Sequence, residues 1–286
     1  MKCLPGILYL VATPIGNLED ITLRALRILR EEVHVIVCED TRQTQKLLQH
    51  FAIKKPLLAC HEHNENARAQ EIVEILNRGE SVALVSDAGT PLISDPGYRV
   101  VTAAIEAGAS VVSIPGPSAV LTALAASGLP TNEFHFVGFL PPKQTARRRA
   151  LAALAAETAT LIAYESPHRI LESLQDIEAE LGLRPMVLAR ELTKIHEEFL
   201  RGSAAEIHAV LSARDSIKGE ITLVIGRAAS QTSNADPLDE LAQLEAQGMA
   251  RMDAIKLAAK RLGLPKREVY RRAAERGNNP PDTHRD

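Results

Sequence analysis

The sequence predicts an α/β protein built as two α/β domains, followed by a small C-terminal helical domain. Three observations carry this. Short β-branched runs alternate with helical patterns from Ile7 onward, as in a mostly parallel sheet covered by helices. A turn-rich break, Gly128-Leu129-Pro130-Thr131-Asn132, interrupts the alternation, and beyond Gly226 strand patterns stop while helical ones continue. The expected boundaries are residues 1–117 and 118–230 for the two α/β domains, 237–277 for the helical domain and 278–286 for a disordered tail.

Strands are expected over Ile7–Thr13, Val33–Cys38, Leu57–Cys60, Val82–Val85 and Val111–Ile114 in the first half. Helices are expected over Thr22–Arg30, Asn64–Asn77 and Arg99–Ala107, with Gly79 and Gly108 where helices should stop. A small-residue helix, Ser118–Ser127, leads into the second half. There the strand candidates are His135–Gly138, Thr160–Tyr164, Pro185–Ala189 and Glu220–Ile225, and the helix candidates Arg147–Ala156, His168–Leu181 and Ala204–Ala213. Strands at both ends of this half suggest a mixed sheet. After a polar linker, Ala228–Asp236, a helix over Met252–Leu262 ends at Gly263, and Pro265 suits the first turn of another that runs through Arg276. A basic second helix after a tight turn is compatible with a helix-turn-helix, with Arg271 and Arg272 on its exposed face.

At 286 residues and 45% hydrophobic content, the chain is long enough for two medium domains and an appendage. No stretch approaches the roughly 20 apolar residues of a membrane helix, and the N-terminus lacks a signal-peptide pattern, so a cytoplasmic location without membrane partners is expected. Cys3, Cys38 and Cys60 are scattered and odd in number, which suggests neither a disulfide framework nor a zinc cluster. The formal net charge of −3 is unevenly spread. Residues 250–276 hold nine Lys or Arg against Asp253, Glu268 and Glu275, giving +6 there and leaving −9 elsewhere. An acidic body with a basic tail suits an anionic partner such as nucleic acid, or simply a solvated basic helix.

The most informative segment is Ser86–Gly97, which follows a strand candidate and is rich in Gly, Pro and Asp. Ligands of open α/β sheets sit beyond the carboxyl ends of strands, and Gly89 allows a close backbone approach. The alternative is a capped strand-to-helix turn with Asp95 near the helix start. Thr13–Leu18 follows the first strand and Pro115–Ala119 the fifth, so three such loops leave one sheet edge. There is no lysine-bearing P-loop and no complete G-x-G-x-x-G, which argues against ATP hydrolysis and a dinucleotide fold.

These segments resemble the bacterial 16S ribosomal RNA 2′-O-methyltransferase branch of the tetrapyrrole (corrin and porphyrin) methylase superfamily. The carriers are T-P-I-G-N-L-x-D-I-T at 13–22, E-D-T-R at 39–42, H-x-H-N-E at 61–65 and S-D-A-G-T-P-L-I-S-D-P-G at 86–97. P-G-P-S-A at 115–119, G-F-L-P at 138–141, Y-E-S-P-H-R at 164–169, A-R-E-L-T-K at 189–194 and K-G-E at 218–220 complete them. The resemblance implies two α/β domains of tetrapyrrole-methylase type with a cleft between them, S-adenosylmethionine as methyl donor, no metal, and a homodimer. It also implies the ribose of a cytidine in the decoding region of 16S RNA, within the small ribosomal subunit, as the methylated group. The implied donor pocket comprises Pro14, Ile15, Gly89, Thr90, Ile93, Ser118 and Ala119, with Tyr164, Glu165, Glu220, Ile221 and Thr222 as the second-domain wall.

Methyl transfer from a sulfonium is an in-line displacement that depends on alignment, but a ribose hydroxyl is a weak nucleophile and needs a base or a stabilising charge. The candidates are Asp40, Asp87 and Glu191, with Lys194 as electrostatic stabiliser; each acid could instead cap a neighbouring turn. Arg42 and Arg190 could contact RNA phosphate or pair with a nearby carboxylate. Arg147, Arg148 and Arg149 form a second basic run, either an RNA contact or a solvated helix start, and Lys266, Arg267, Arg271 and Arg272 are RNA candidates in the tail. His61 and His63, beside Cys60, have a ligand-like spacing, but no distal pair completes a metal site. With no Trp and 3% aromatic residues, recognition should rest on RNA shape, phosphates and the 2′-hydroxyl. The rival expectations are a tetrapyrrole or other small-molecule methyltransferase, against which the basic tail argues, and a non-catalytic RNA-binding ribosome-assembly protein.

Overall fold

The structure, a computed structural model, describes residues 5–228, 236–262 and 264–277. Cys3, Gly263, the tail expected over 278–286 and all but the ends of the expected linker lie outside the described residues. The described chain divides into two units. One contains both sheets, up to Leu154 and again over Thr160–Gly226; the other contains Ala155–Ala159 and the chain from Arg227 onward.

The first sheet has five parallel strands, β1 (Ile7–Val11), β2 (Val35–Cys38), β3 (Leu57–Ala59), β4 (Val82–Val85) and β5 (Ser110–Ile114), in the order β3-β2-β4-β1-β5. Strict alternation sends Val11, Ile36 and Val85 to one face and Leu8, Val37 and Leu84 to the other, and each face carries its own apolar cluster. Helices cover both faces. α1 (Leu23–Arg27) and the π-turn that continues it to Glu32 pack with α2 (Thr41–His50) on the first face; α3 (Glu65–Asn77) and α4 (Tyr98–Glu106) pack on the second. The sequence did not announce α2, because TRQTQKLLQH is polar except at Leu47 and Leu48, and its start depends on the Asp40 side chain accepting from the Arg42 amide. α4 also differs from expectation at its start. Its N-cap is Gly97, and the capping carboxylate is Glu65 of α3, whose Oε1 accepts from the Gly97 and Arg99 amides at 2.9 Å each. Asp95 does not cap this helix.

The second sheet is mixed, as expected. Its strands β6 (Phe134–Phe139), β7 (Thr160–Glu165), β8 (Met186–Arg190), β9 (Glu198–Gly202) and β10 (Ile221–Ile225) run in the order β6-β7-β10-β8-β9. Only β6 and β7 pair in parallel. The edge strand β9 was not legible: two apolar residues in five give no clear pattern until β8 offers a partner. Between β5 and β6 lies α5 (Ala119–Ser127), which packs on the face formed by Ile162, Val187, Ala189 and Val224. The opposite face is covered by α6 (Gln144–Ala153), α7 (Ile170–Leu181) and α8 (Ala204–Ser212).

The remaining unit is helical: α9 (Pro237–Ala246), α10 (Arg251–Leu262) and α11 (Lys266–Gly277) share a core of Leu241, Leu244, Ile255, Ala258 and Val269. Three helices stand where two were expected. α9 carries its own start signals, an Asp236 cap, Pro237 in the first turn, then Asp239 and Glu240.

The basic run at the start of α6 differs from expectation. Arg147 neither contacts solvent nor is free to bind RNA: it is fully buried, with Nε donating to Asp176 of α7 at 2.7 Å and Nη2 to Glu172 at 3.3 Å. Removing one member of a buried ion pair strands the other charge, so Arg147→Met should destabilise the fold by about 3–5 kcal/mol. Arg147→Met combined with Asp176→Leu should recover most of that loss. Urea unfolding midpoints of the three chains measure both effects.

Candidate active site

Three loops from adjacent parallel strands form the floor of the site. Thr13, after β1, and Gly89, after β4, exchange backbone hydrogen bonds of 2.9 and 3.0 Å. The Thr13 hydroxyl donates to Ser86 O at 3.0 Å and the Ser86 hydroxyl to Gly89 O at 2.8 Å. Thr90 Oγ1 then donates to Pro117 O at 3.0 Å, joining the loop after β5, where Ser118 caps α5. Small hydroxyl residues are needed here because they satisfy backbone groups that no strand pairs. The loop after β1 reaches the turn after β8: Asn17 N donates to Thr193 Oγ1, and a Cβ on Gly16 would lie 2.4 Å from Lys194 Cγ and 2.9 Å from Leu192 O. Only glycine fits at that contact.

Above the floor lies a cavity of about 400 Å³. Its wall contains Ile15, Gly89, Thr90, Ile93, Ser118 and Ala119 from the first three loops, and Tyr164, Glu165, Glu220, Ile221 and Thr222 from the second sheet. Pro14, expected with them, is not part of the wall. Asp87, Asp95, Phe139 and Gly219 also face the cavity; of these, only Asp87 is among the site residues expected from the sequence. Glu165 contributes in a different way from its neighbours: its buried carboxylate accepts from Arg169, the Ser166 amide and the Ser173 hydroxyl, which holds the turn after β7 in place.

The catalytic candidates separate by their partners. Arg42 grips Asp40 with its side chain and its amide and holds that carboxyl down at about 2, and Asp40 is outside the cavity wall. Glu191 lies lower than an ordinary glutamate because Lys194 hydrogen-bonds it at 2.7 Å, and it also accepts from the Glu220 amide. Burial opposes the charge of Lys194, but its bonds to Glu191 and to Glu220 at 3.1 Å outweigh this and raise it. Glu191 and Lys194 both bond Glu220 but are not part of the wall. Asp87 is raised by burial and accepts from the Asp40 amide at 3.1 Å. Asp95 has no hydrogen-bond or ion-pair partner among the described residues, and burial, with Glu39 and Asp87 nearby, pushes it up to about 6. Burial, with Asp95 and Glu220, carries Tyr164 up to about 12.

Among the basic candidates, Arg42 is 86% exposed although paired with Asp40. Arg190 is mostly buried, bonded to Glu198 at 2.9 Å and to Lys218 O, and Arg148 pairs with Glu180 at 2.6 Å. Lys266 and Arg267 are exposed on α11; Arg271 and Arg272, also exposed, share Glu268. The His61 and His63 rings meet edge to face at 6.0 Å, and no group of three or more potential ligands gathers among the described residues. Cys38 and Cys60 are buried free thiols, Cys60 raised to about 11 mainly by burial. Among the described residues no helix is long and apolar enough to cross a membrane.

A parallel sheet, a mixed sheet and a cavity walled by both are the features of a tetrapyrrole (corrin/porphyrin) methylase, and the profile of that family matches residues 7–208. The fold is shared with uroporphyrin-III C-methyl transferase from Thermus thermophilus complexed with S-adenyl homocysteine: TM-score 0.54 at 18% identity, over 77% of this chain and 97% of that one. The chain is 48% identical over 273 residues to ribosomal RNA small subunit methyltransferase I of Halalkalibacterium halodurans, covering 93% of both. It is 49% identical over 274 residues to the Escherichia coli protein of that name, covering 94% of this chain and 95% of that one. The protein belongs to the ribosomal RNA small subunit methyltransferase I family.

Folding raises Asp95 from 3.8 to about 6, so its neutral form is the one the fold favours. Its contribution is fully present below its unfolded value and is lost as pH rises through about 6. Asp95→Asn should therefore stabilise the protein at about pH 8, by about 1 kcal/mol once solvent screening is allowed for, and leave stability at about pH 4 unchanged. Thermal melts at the two pH values measure the difference.

Proposed function

We propose that the protein uses S-adenosylmethionine to methylate the ribose 2′-hydroxyl of a cytidine in the decoding region of 16S ribosomal RNA. The relatives of near 48% identity are named for the small-subunit ribosomal RNA. The observation that carries the chemistry is the cavity at the carboxyl edge of the parallel sheet, walled by the motif residues of both sheets.

The residues present fit the donor. A cavity of about 400 Å³ is of ligand size, Ile15, Ile93, Ala119 and Ile221 offer apolar contact, and backbone groups near Gly89 and Ser118 lie at its surface. Asp87, Asp95 and Glu220 make its field negative, which suits a cation. When bound, the donor supplies a methyl group on a positively charged sulfonium. The chain supplies alignment and a proton acceptor. Asp95 suits that role: its carboxylate lines the cavity, has no hydrogen-bond or ion-pair partner among the described residues and is ionised at neutral pH while basic enough to accept a proton. With the donor bound, Asp95 would take the hydroxyl proton as the ribose oxygen bonds to the methyl carbon and the carbon–sulfur bond breaks, which leaves S-adenosylhomocysteine as the neutral leaving group. Lys194 positions Glu220 by its bond to that carboxylate.

Arg42 and, in the helical unit, the α11 residues Lys266, Arg267, Arg271 and Arg272 are exposed cations proposed to hold RNA phosphate. A homodimer is part of the same proposal. Incubating the protein and labelled S-adenosylmethionine with small subunits from a strain lacking it, then mapping the modified nucleotide, tests the function; no label, or label on a base, would sink it. In that assay Asp95→Asn should lower kcat by about 10²-fold or more with little change in KM. The wild-type rate should climb as pH rises through about 6, and the variant's should not. Removing residues after Asp236 should weaken salt-dependent RNA binding and leave donor binding intact, as filter binding and calorimetry would report.

A further inference from the structure

The chain has only five Phe and four Tyr, yet Phe136, Phe139 and Tyr164 gather on two neighbouring strands, and Phe139 and Tyr164 line the cavity. Their arrangement depends on an irregularity in β6. Phe136 pairs with Ile162 and Phe139 with Tyr164, so three steps along β6 match two along β7. The extra residue falls where Gly138 takes φ +72°, a conformation open to glycine. Without it, alternation would send Phe139 to the face opposite Phe136. With it, both rings meet Tyr164 edge to face, at 5.0 and 5.3 Å, and Phe139 becomes part of the cavity wall.

Phe136 is partly buried against the core, whereas Phe139 is left 57% exposed. Ile93, 42% exposed, stands in the same wall. This apolar surface lies within an acidic neighbourhood, with Asp87, Asp95 and Glu220 in the wall and Glu39 close to Asp95. Such a field repels phosphate, so a nucleotide entering there must be held by something other than its backbone charge. A ring with a free face holds a planar base irrespective of charge.

We infer that Phe139, turned into the cavity by the bulge at Gly138, is the platform on which the base of the nucleotide to be methylated stacks. The inference rests on the proposed RNA methylation and assigns the residue that fixes the target base while its ribose reacts. Stacking on an aromatic ring requires the base to leave its own stack, so the substrate nucleotide enters unpaired and turned out.

The test uses the full-length chain with Phe139→Ala, Phe139→Leu and Phe139→Tyr. KM for small subunits, affinity for S-adenosylhomocysteine by calorimetry, and sedimentation are measured for each. Leucine keeps apolar area and removes the π face; tyrosine keeps both. The expected result is a KM raised about tenfold or more in the Ala and Leu variants and near wild type in Tyr, the size of one lost base–aromatic stack. S-adenosylhomocysteine affinity and oligomeric state should match wild type throughout. Three results would overturn the inference: a Leu variant equal to wild type, an equal loss of S-adenosylhomocysteine affinity, which would place the adenine on the ring, or a change of oligomeric state. Label transfer by no chain at all, wild type included, would instead sink the underlying RNA methylation and the inference with it.

Discussion

The reciprocal backbone hydrogen bonds between Thr13 and Gly89 hold the site together. Each of the two residues lies just past a strand end, where its polar backbone groups have lost the sheet and must find other partners. Pairing with each other, and taking in the hydroxyls of Thr13, Ser86 and Thr90, turns three separate loops into one surface. The cavity is a consequence. With the loops bound backbone to backbone, Ile15, Ile93 and Asp87 are left to face the opening, and the second sheet closes the other side with Tyr164 and Thr222.

The same logic of satisfied groups sorts the carboxylates. Near the cavity the chain has many acids, and most of them are engaged elsewhere. Asp40 caps α2 and binds Arg42, Glu191 holds Lys194 and the Glu220 amide, and Glu165 secures the turn after β7. Asp95 would be the natural cap for α4, but Glu65 reaches across from α3 and takes that position. A carboxylate relieved of capping, half-buried and facing other acids is poorly solvated and raised, the state a general base requires.

Legibility followed the range of the interactions. β4, Val82–Val85, was read with both ends correct, because a fully buried parallel strand is a continuous apolar run between turn residues. β9 and α2 were missed because their stability comes from neighbours: β9 has β8 on one side only, and α2 is anchored by an Asp40 cap and two leucines. α9 was missed although its cap, proline and acidic first turn were present, since the polar run before it read as continuous linker. Arg147 shows the reverse. In the sequence it is one of three adjacent arginines, and only the placement of α7 reveals that it faces Asp176 and is buried.

The sequence by itself determined most of the strands and helices and the three loops at one sheet edge, because period-two and period-3.6 patterns and turn residues act over a few positions, and its motifs carried the resemblance that implied the family and most of the cavity wall. Only the tertiary structure decided that Asp95 has no partner among the described residues, that Arg147 is buried and which face Phe139 presents. Those outcomes depend on contacts between residues far apart in the chain: Glu65 with Gly97, Arg147 with Asp176, and the one-residue slip of β6 against β7. A local pattern cannot encode them, since the partner that settles each lies on another element.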